Sequence, residues 1–113
     1  MAGKYNIVAD QGATFHLNFT VKTDGIPWDL TTYSARMLVA KSTSSSTNLL
    51  DLTSAGGDID LTIGGGQVSI TASALAMANL PAGRWIYTIE LTSSGSEVTR
   101  ILEGRFIVSA EVV

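Results

Sequence analysis

The chain contains no cysteine, one histidine, two prolines and few charged residues among its 113 positions. Without cysteine it can form no disulfide, thiolate metal site or catalytic thiol. The single histidine, His16, excludes mechanisms that need two imidazoles. No apolar run approaches the ~18 residues of a membrane-spanning helix, and the opening segment lacks the apolar region of a secretory signal. We therefore expect no membrane partner and no cysteine chemistry.

Charge and hydrophobicity exclude further classes of protein. Seven basic and ten acidic residues give a formal net charge of −3, so the chain lacks the basic surface that binds nucleic acid. Hydrophobic residues make up 45% of the sequence, which is too many for an intrinsically disordered chain. The length fits one ordinary domain. We expect a single domain over residues 10–113, preceded over residues 1–9 by an N-terminal arm or edge strand.

Hydroxyl side chains take the place of charges at the predicted surface. Serine and threonine together number 25, against 17 charged residues. Threonine fits the pleated surface of a β-sheet, and a hydroxyl costs less free energy to desolvate than a charge does. The mean hydropathy is +0.27. Two interpretations follow: a partner covers part of an apolar surface, or the chain is a small, well-filled sandwich with polar loops.

Alternating apolar and polar residues predict a series of short β-strands. These cover residues 14–22, 33–40, 49–53, 59–63, 67–71, 84–92, 97–103 and 105–109. Asp24 and Gly25 predict a turn after the first of them, because glycine tolerates a positive φ. Pro27 is excluded from a central strand, because proline has no N–H to donate. About seven to nine short strands separated by turns predict an all-β fold, an antiparallel Ig-like β-sandwich.

Two segments depart from the strand pattern. Residues 73–80 contain no β-branched residue, which predicts one or two helical turns with Ser73 as the N-cap. Gly104 interrupts the alternation between the last two predicted strands. We expect a bulge or bend at that glycine, between two halves of one long strand.

The histidine and a group of aspartates are the first candidates for chemistry. His16 falls on the polar face of its predicted strand, which is typical of a surface residue, and no second histidine is present to complete a zinc site. Asp51, Asp58 and Asp60 lie close together beside glycines. Their spacing lacks the order of carboxylates in a calcium-binding loop. We interpret them as solvated loop carboxylates.

Glu90, Glu97 and Glu103 are the remaining candidates for catalysis. Two carboxylates ~5–9.5 Å apart at a cleft can hydrolyse a glycoside, and Glu90 and Glu103 could share one solvent-facing side of the last hairpin. A sandwich of this length has little room for a deep cleft, and no G-x-S-x-G motif is present. We predict that the chain is not an enzyme and has no catalytic, cofactor-binding or metal-binding residue.

Aromatic residues and apolar chain ends are the candidates for partner contacts. Trp85 shares a strand face with Ile89 and Leu91, which favours burial, whereas Trp28 lies in a connection and could be buried or exposed. The N-terminal segment could pair within its own sheet or with a neighbouring molecule. The candidate contact residues are Tyr5, Ile7, Val8, Trp28, Val112 and Val113.

The order of turn and core motifs along the chain carries a resemblance. The motifs are G-x-x-F-x-L-x-F (Gly12, Phe15, Leu17, Phe19), D-G-x-P-x-D-L-T (from Asp24 to Thr31), Y-x-A-R-M (from Tyr33), L-P-A-G-x-W-x-Y (from Leu80) and L-E-G-x-F-x-V (from Leu102). In this order they resemble the small β-sandwich modules of tailed-bacteriophage virions, including the N-terminal domains of baseplate upper and tail-fibre proteins. The resemblance covers residues 10–113.

The resemblance implies structural work in a virion. We expect a tail, baseplate or tail-fibre adaptor or connector that acts through contacts with other virion proteins, as a homo-oligomer or in a symmetric array. A virion protein of this kind assembles in the host cytoplasm. The alternatives are a capsid decoration protein and a carbohydrate-binding module, which would need two exposed, coplanar aromatic rings. The resemblance carries over no receptor-binding or enzymatic residue.

Overall fold

The computed structural model describes residues 3–41 and 48–110, which form eleven β-strands and one short helix. The strands are β1 (Gly3–Lys4), β2 (Ile7–Asp10), β3 (Phe15–Thr20), β4 (Lys22–Thr23), β5 (Ile26–Pro27), β6 (Ser34–Ala40), β7 (Asn48–Thr53), β8 (Ile59–Asp60), β9 (Gln67–Ala72), β10 (Gly83–Thr92) and β11 (Val98–Ser109). The helix is α1 (Ala74–Ala78). Among these described residues, no helix is long and apolar enough to cross a membrane.

The strands form two main sheets and a small ribbon. The large sheet has the order β1-β11-β10-β6-β7, and β2 also pairs with β11. The small sheet has the order β3-β9-β8, and β4 pairs with β5. All pairings are antiparallel except those of β1 and β2 with β11. The predicted all-β, antiparallel sandwich is confirmed.

The core lies between the two sheets and is built from the alternating residues of the long strands. In β6, Ala35, Met37 and Val39 are buried, whereas Arg36 between them is exposed. Phe106 of the large sheet meets Phe15 of the small sheet edge-on, with ring centroids 5.4 Å apart. Removing apolar area from water is the main favourable term in folding. Because this contact buries apolar area of both sheets, it holds them together.

Two local predictions are confirmed at the turn after β4 and at the helix. Asp24 and Gly25 both have positive φ, 52° and 79°, as a tight hairpin turn between β4 and β5 requires. Ser73 precedes α1, and its hydroxyl oxygen accepts a hydrogen bond from the backbone N–H of Ala76 at 3.1 Å. That bond satisfies one of the free donors at the start of the helix.

The N-terminal segment pairs within its own sheet. β1 lies beside Leu102 and Glu103 of β11, and β2 lies beside residues 106–109 of the same strand. Ile7 is 5% exposed and belongs to the core. The edge-strand alternative of the sequence prediction therefore describes residues 3–10 of this molecule.

The prediction that Gly104 lies within one long strand is confirmed, but the predicted bulge at the glycine itself is wrong. β11 runs without a break from Val98 to Ser109, and its register against β10 shifts at Ile101, which has no partner opposite Ile89 and Glu90. Gly104 is needed for another reason. A Cβ atom there would collide with the backbone carbonyl oxygen of Tyr5, which crosses close above it. The glycine gives room for the N-terminal segment, a contact that no local pattern reveals.

Candidate interaction surfaces

The structure does not bring the candidate catalytic and metal-ligating residues together. His16 is exposed on β3, and its Nδ1 lies 3.3 Å from the hydroxyl oxygen of Thr71. Within the described part of the chain, no group of three or more histidine, aspartate or glutamate side chains is placed to hold a metal ion.

Asp51 and Asp60 lie in strands β7 and β8 rather than in loops, so that part of the sequence interpretation is wrong for them. Asp60 accepts hydrogen bonds from the backbone N–H and the hydroxyl of Thr62, at 2.8 and 2.6 Å, and the hydroxyl bond is the larger cause of its lowered pKa. Asp51 accepts two hydrogen bonds from the Arg36 guanidinium, at 3.0 and 2.7 Å, which hold the pKa of its carboxyl below the usual value. Each of these carboxylates has a structural partner.

Glu90 and Glu103 lie on the outer face of the large sheet rather than in a cleft. Arg100 lies 3.5 Å from a carboxylate oxygen of Glu90 and 3.9 Å from one of Glu103. Glu97 is exposed in the turn before β11. One arginine thus bridges the two carboxylates that the glycosidase interpretation would place on either side of a sugar.

The predicted contact residues divide into exposed and buried positions. The side chains of Tyr5 and Val8 are 54% and 66% exposed and are available to a partner. Ile7 is not available, because within β2 it faces the core together with Ala9, on the side opposite to Val8. Its assignment as a contact residue is therefore wrong. Val112 and Val113 lie outside the described residues.

The two tryptophans are both half-buried, and their ring N–H groups donate hydrogen bonds to different acceptors. Trp28 donates a hydrogen bond from Nε1 to the hydroxyl oxygen of Thr23 at 2.8 Å, and its ring lies against Tyr33 with 46° between the ring planes. Trp85 donates from Nε1 to the carbonyl oxygen of Pro81 at 2.9 Å. The rings of Trp28 and Tyr33 are too strongly tilted to form the flat platform on which a sugar stacks.

A groove runs along the open side of the sandwich, between β3 of the small sheet and the first half of β11 of the large sheet. We call it the edge groove. Its volume is about 570 Å³, and its apolar lining includes Tyr5, Leu17, Phe19, Trp28, Ile101 and Leu102. All of these except Tyr5 are half-buried side chains that pack against the core. The edge groove is an extension of the core that remains open to solvent.

The edge groove is bordered by a strand edge with unpaired backbone groups. Thr71 of β9 donates its backbone N–H to the backbone carbonyl oxygen of Asp58, on the side away from β3. Because hydrogen-bonded and non-hydrogen-bonded pairs alternate along an antiparallel ladder, β9 bonds instead to Phe15, Leu17 and Phe19 of β3. The N–H and C=O groups of His16, Asn18 and Thr20 therefore face away from β9, and no described strand pairs with them.

One feature of the sequence marks this edge as unprotected once the structure shows that β3 is an edge. From Thr14 to Val21 the chain has no aspartate, glutamate, lysine, arginine or proline. Edge strands of natural proteins usually carry one of these residues, which discourage pairing with other molecules. The pattern alone could not show that β3 is an edge, since the alternation of a central strand in a two-layer sandwich is the same.

Models of known protein families give no match to this chain, and a search of curated proteins gives none either.

Proposed function

We propose that this chain is a structural virion protein of a tailed bacteriophage, which joins tail, baseplate or tail-fibre subunits through protein–protein contacts. The observation that carries the proposal is the edge groove, where half-buried apolar side chains and an unpaired strand edge lie side by side. Strand edges of this kind recognise another protein by backbone hydrogen bonds, while the apolar lining accepts its side chains.

The motif order supports the virion setting of that contact. Its turn and core residues, from Gly12 to Val108, resemble those of small virion modules. A module repeated by the symmetry of a particle needs only modest affinity at each contact, because linked contacts act together. A hydroxyl-rich surface with few charges suits such repeated contacts, since it is less costly to desolvate.

The experiment is to locate the chain in particles released by the strain that encodes it. We expect mass spectrometry of purified particles to detect the chain, and immunogold labelling to mark the tail or its tip. Label on the capsid shell would replace the adaptor role with capsid decoration. Intact particles that contain their other structural proteins but not this chain would overturn the proposal. Antibody pre-absorbed with the purified chain is the control for the labelling.

A further inference from the structure

We infer that the free edge of β3 pairs with the β3 edge of a second copy of this chain, antiparallel about a two-fold axis at Asn18. The inference deepens the proposed function and rests on it for its biological setting, since it names a partner for the edge groove. The pairing joins the small sheets of two copies into one continuous six-stranded sheet, because each contributes three strands.

The backbone of β3 is complementary to itself about Asn18. Its outward-facing N–H and C=O groups belong to His16, Asn18 and Thr20, which are evenly spaced on either side of the axis. In an antiparallel pair centred on Asn18, His16 of one copy lies opposite Thr20 of the other. Each opposed pair of residues exchanges two bonds, so that about six backbone hydrogen bonds form and no outward group of these residues is left over.

The side chains of β3 are also symmetric about the axis. On the inner face, Leu17 of one copy lies opposite Phe19 of the other, and Phe15 lies opposite Val21. These are positions between the hydrogen-bonded pairs, where the two strands' Cα atoms approach to about 4.5 Å and side chains contact most closely. Leu17, Phe19 and Val21 are half-buried in the single copy. Pairing therefore covers apolar surface on both copies at once.

Protective features are absent from β3 and present on the other free edges of the described chain. The register of β3 with β9 has no shift, so the strand contains no bulge. Its exposed outer-face residues are His16, Asn18 and Thr20, and none of them is an aspartate, glutamate, lysine or arginine. Each of the other edges carries a charge or a proline or is only two residues long. These are β1 with Lys4, β2 with Asp10, β7 with Asp51, the first half of β11 with Arg100, the β4–β5 ribbon with Lys22 and Pro27, and the two-residue strand β8. A self-pairing edge is thus left open at β3.

Sedimentation velocity over a concentration series tests the inference on the full chain. We expect a reversible dimer, with the backbone amides of His16, Asn18 and Thr20 gaining protection from hydrogen exchange as the dimer forms. Asn18→Lys and Asn18→Asp each place two like charges next to each other at the axis. Each variant alone is expected to weaken dimerisation at least about tenfold. An equimolar mixture of the two variants is expected to recover it, because the opposed charges then have opposite sign.

Gln67→Lys is the matched control. It changes a neutral side chain to lysine on an exposed position of β9, in the same sheet but one strand away from the axis. We expect it to dimerise like the unaltered chain. A monomer at every concentration would overturn the inference, as would a dimer that is indifferent to Asn18→Lys or a variant mixture that fails to associate. None of these outcomes bears on whether the chain is found in virions, so the two proposals can fail separately.

Discussion

The phenol hydroxyl of Tyr87 donates a hydrogen bond to the backbone carbonyl oxygen of Tyr5 at 2.5 Å, between residues 82 positions apart. Tyr87 is 1% exposed on β10, and its ring meets Phe106 edge-on. The backbone N–H of Tyr5 donates in turn to the carbonyl oxygen of Glu103 on β11. These bonds hold the N-terminal segment against the core at the point where it passes from β1 to β2.

Replacing Tyr87 with phenylalanine is expected to lower the free energy of unfolding by about 1–2 kcal/mol, because the carbonyl of Tyr5 loses a buried donor. Urea denaturation measures the change. Tyr33→Phe is the control, since the Tyr33 ring is half-buried and its hydroxyl bonds to no described residue. Equal losses in the two variants would contradict a specific role for the Tyr87 hydroxyl.

The same hydroxyl makes stability depend on alkaline pH. Burial, followed by the nearby charge of ionised Tyr5, raises the pKa of Tyr87 from 10.0 to about 12. A pKa raised by folding gives a contribution that is complete below the unfolded value and is lost as the pH rises from 10 to about 12. Phenolate absorbance is expected to show one tyrosine titrating near the upper value while the chain is folded. If Tyr87→Phe no longer shows a tyrosine that titrates near the upper value, that titration belongs to Tyr87. If the variant still shows it, the titration belongs to another residue.

Gly104→Ala is expected to destabilise the fold by about 1–3 kcal/mol, because the added methyl group overlaps the Tyr5 carbonyl and forces the backbone to move. Thermal unfolding measures this as a drop of several degrees in Tm. Gly95→Ala is the matched control, since the nearest atom to its Cβ is the hydroxyl oxygen of Ser93 at 3.8 Å. If both variants melt together, the close approach at Gly104 is not what requires glycine.

Phe106→Ala is expected to cost about 3–5 kcal/mol, because it removes a fully buried ring and leaves a cavity. The ring contacts Phe15 of the small sheet and Tyr87 of the large one, so its loss weakens the packing between the sheets. Val98→Ala on the same strand is the control, since Val98 is 56% exposed. If the free energies of unfolding of Phe106→Ala and Val98→Ala differ by less than about 1 kcal/mol, Phe106 does not hold the sheets together.

Local residue patterns determined the elements of the fold. The alternation of Ala35, Met37 and Val39 with Arg36, Leu38 and Ala40 predicted β6. The Asp24-Gly25 pair predicted the turn between β4 and β5. Ser73 predicted the start of α1. These predictions are confirmed because side-chain alternation, turn conformation and capping depend on residues within a few positions of one another.

Only the tertiary structure decided which strands meet and which edge stays open. The parallel pairing of the N-terminal segment with β11 buries Ile7 and places the Tyr5 carbonyl against Gly104. The register shift between β10 and β11 lies at Ile101 and not at the glycine. The free edge of β3 exists because β3 has β9 on one side and no described strand on the other. Strand pairing joins residues that are far apart in the sequence. Which strands pair depends on the total apolar area that the two sheets bury together, and a short segment does not contain that information.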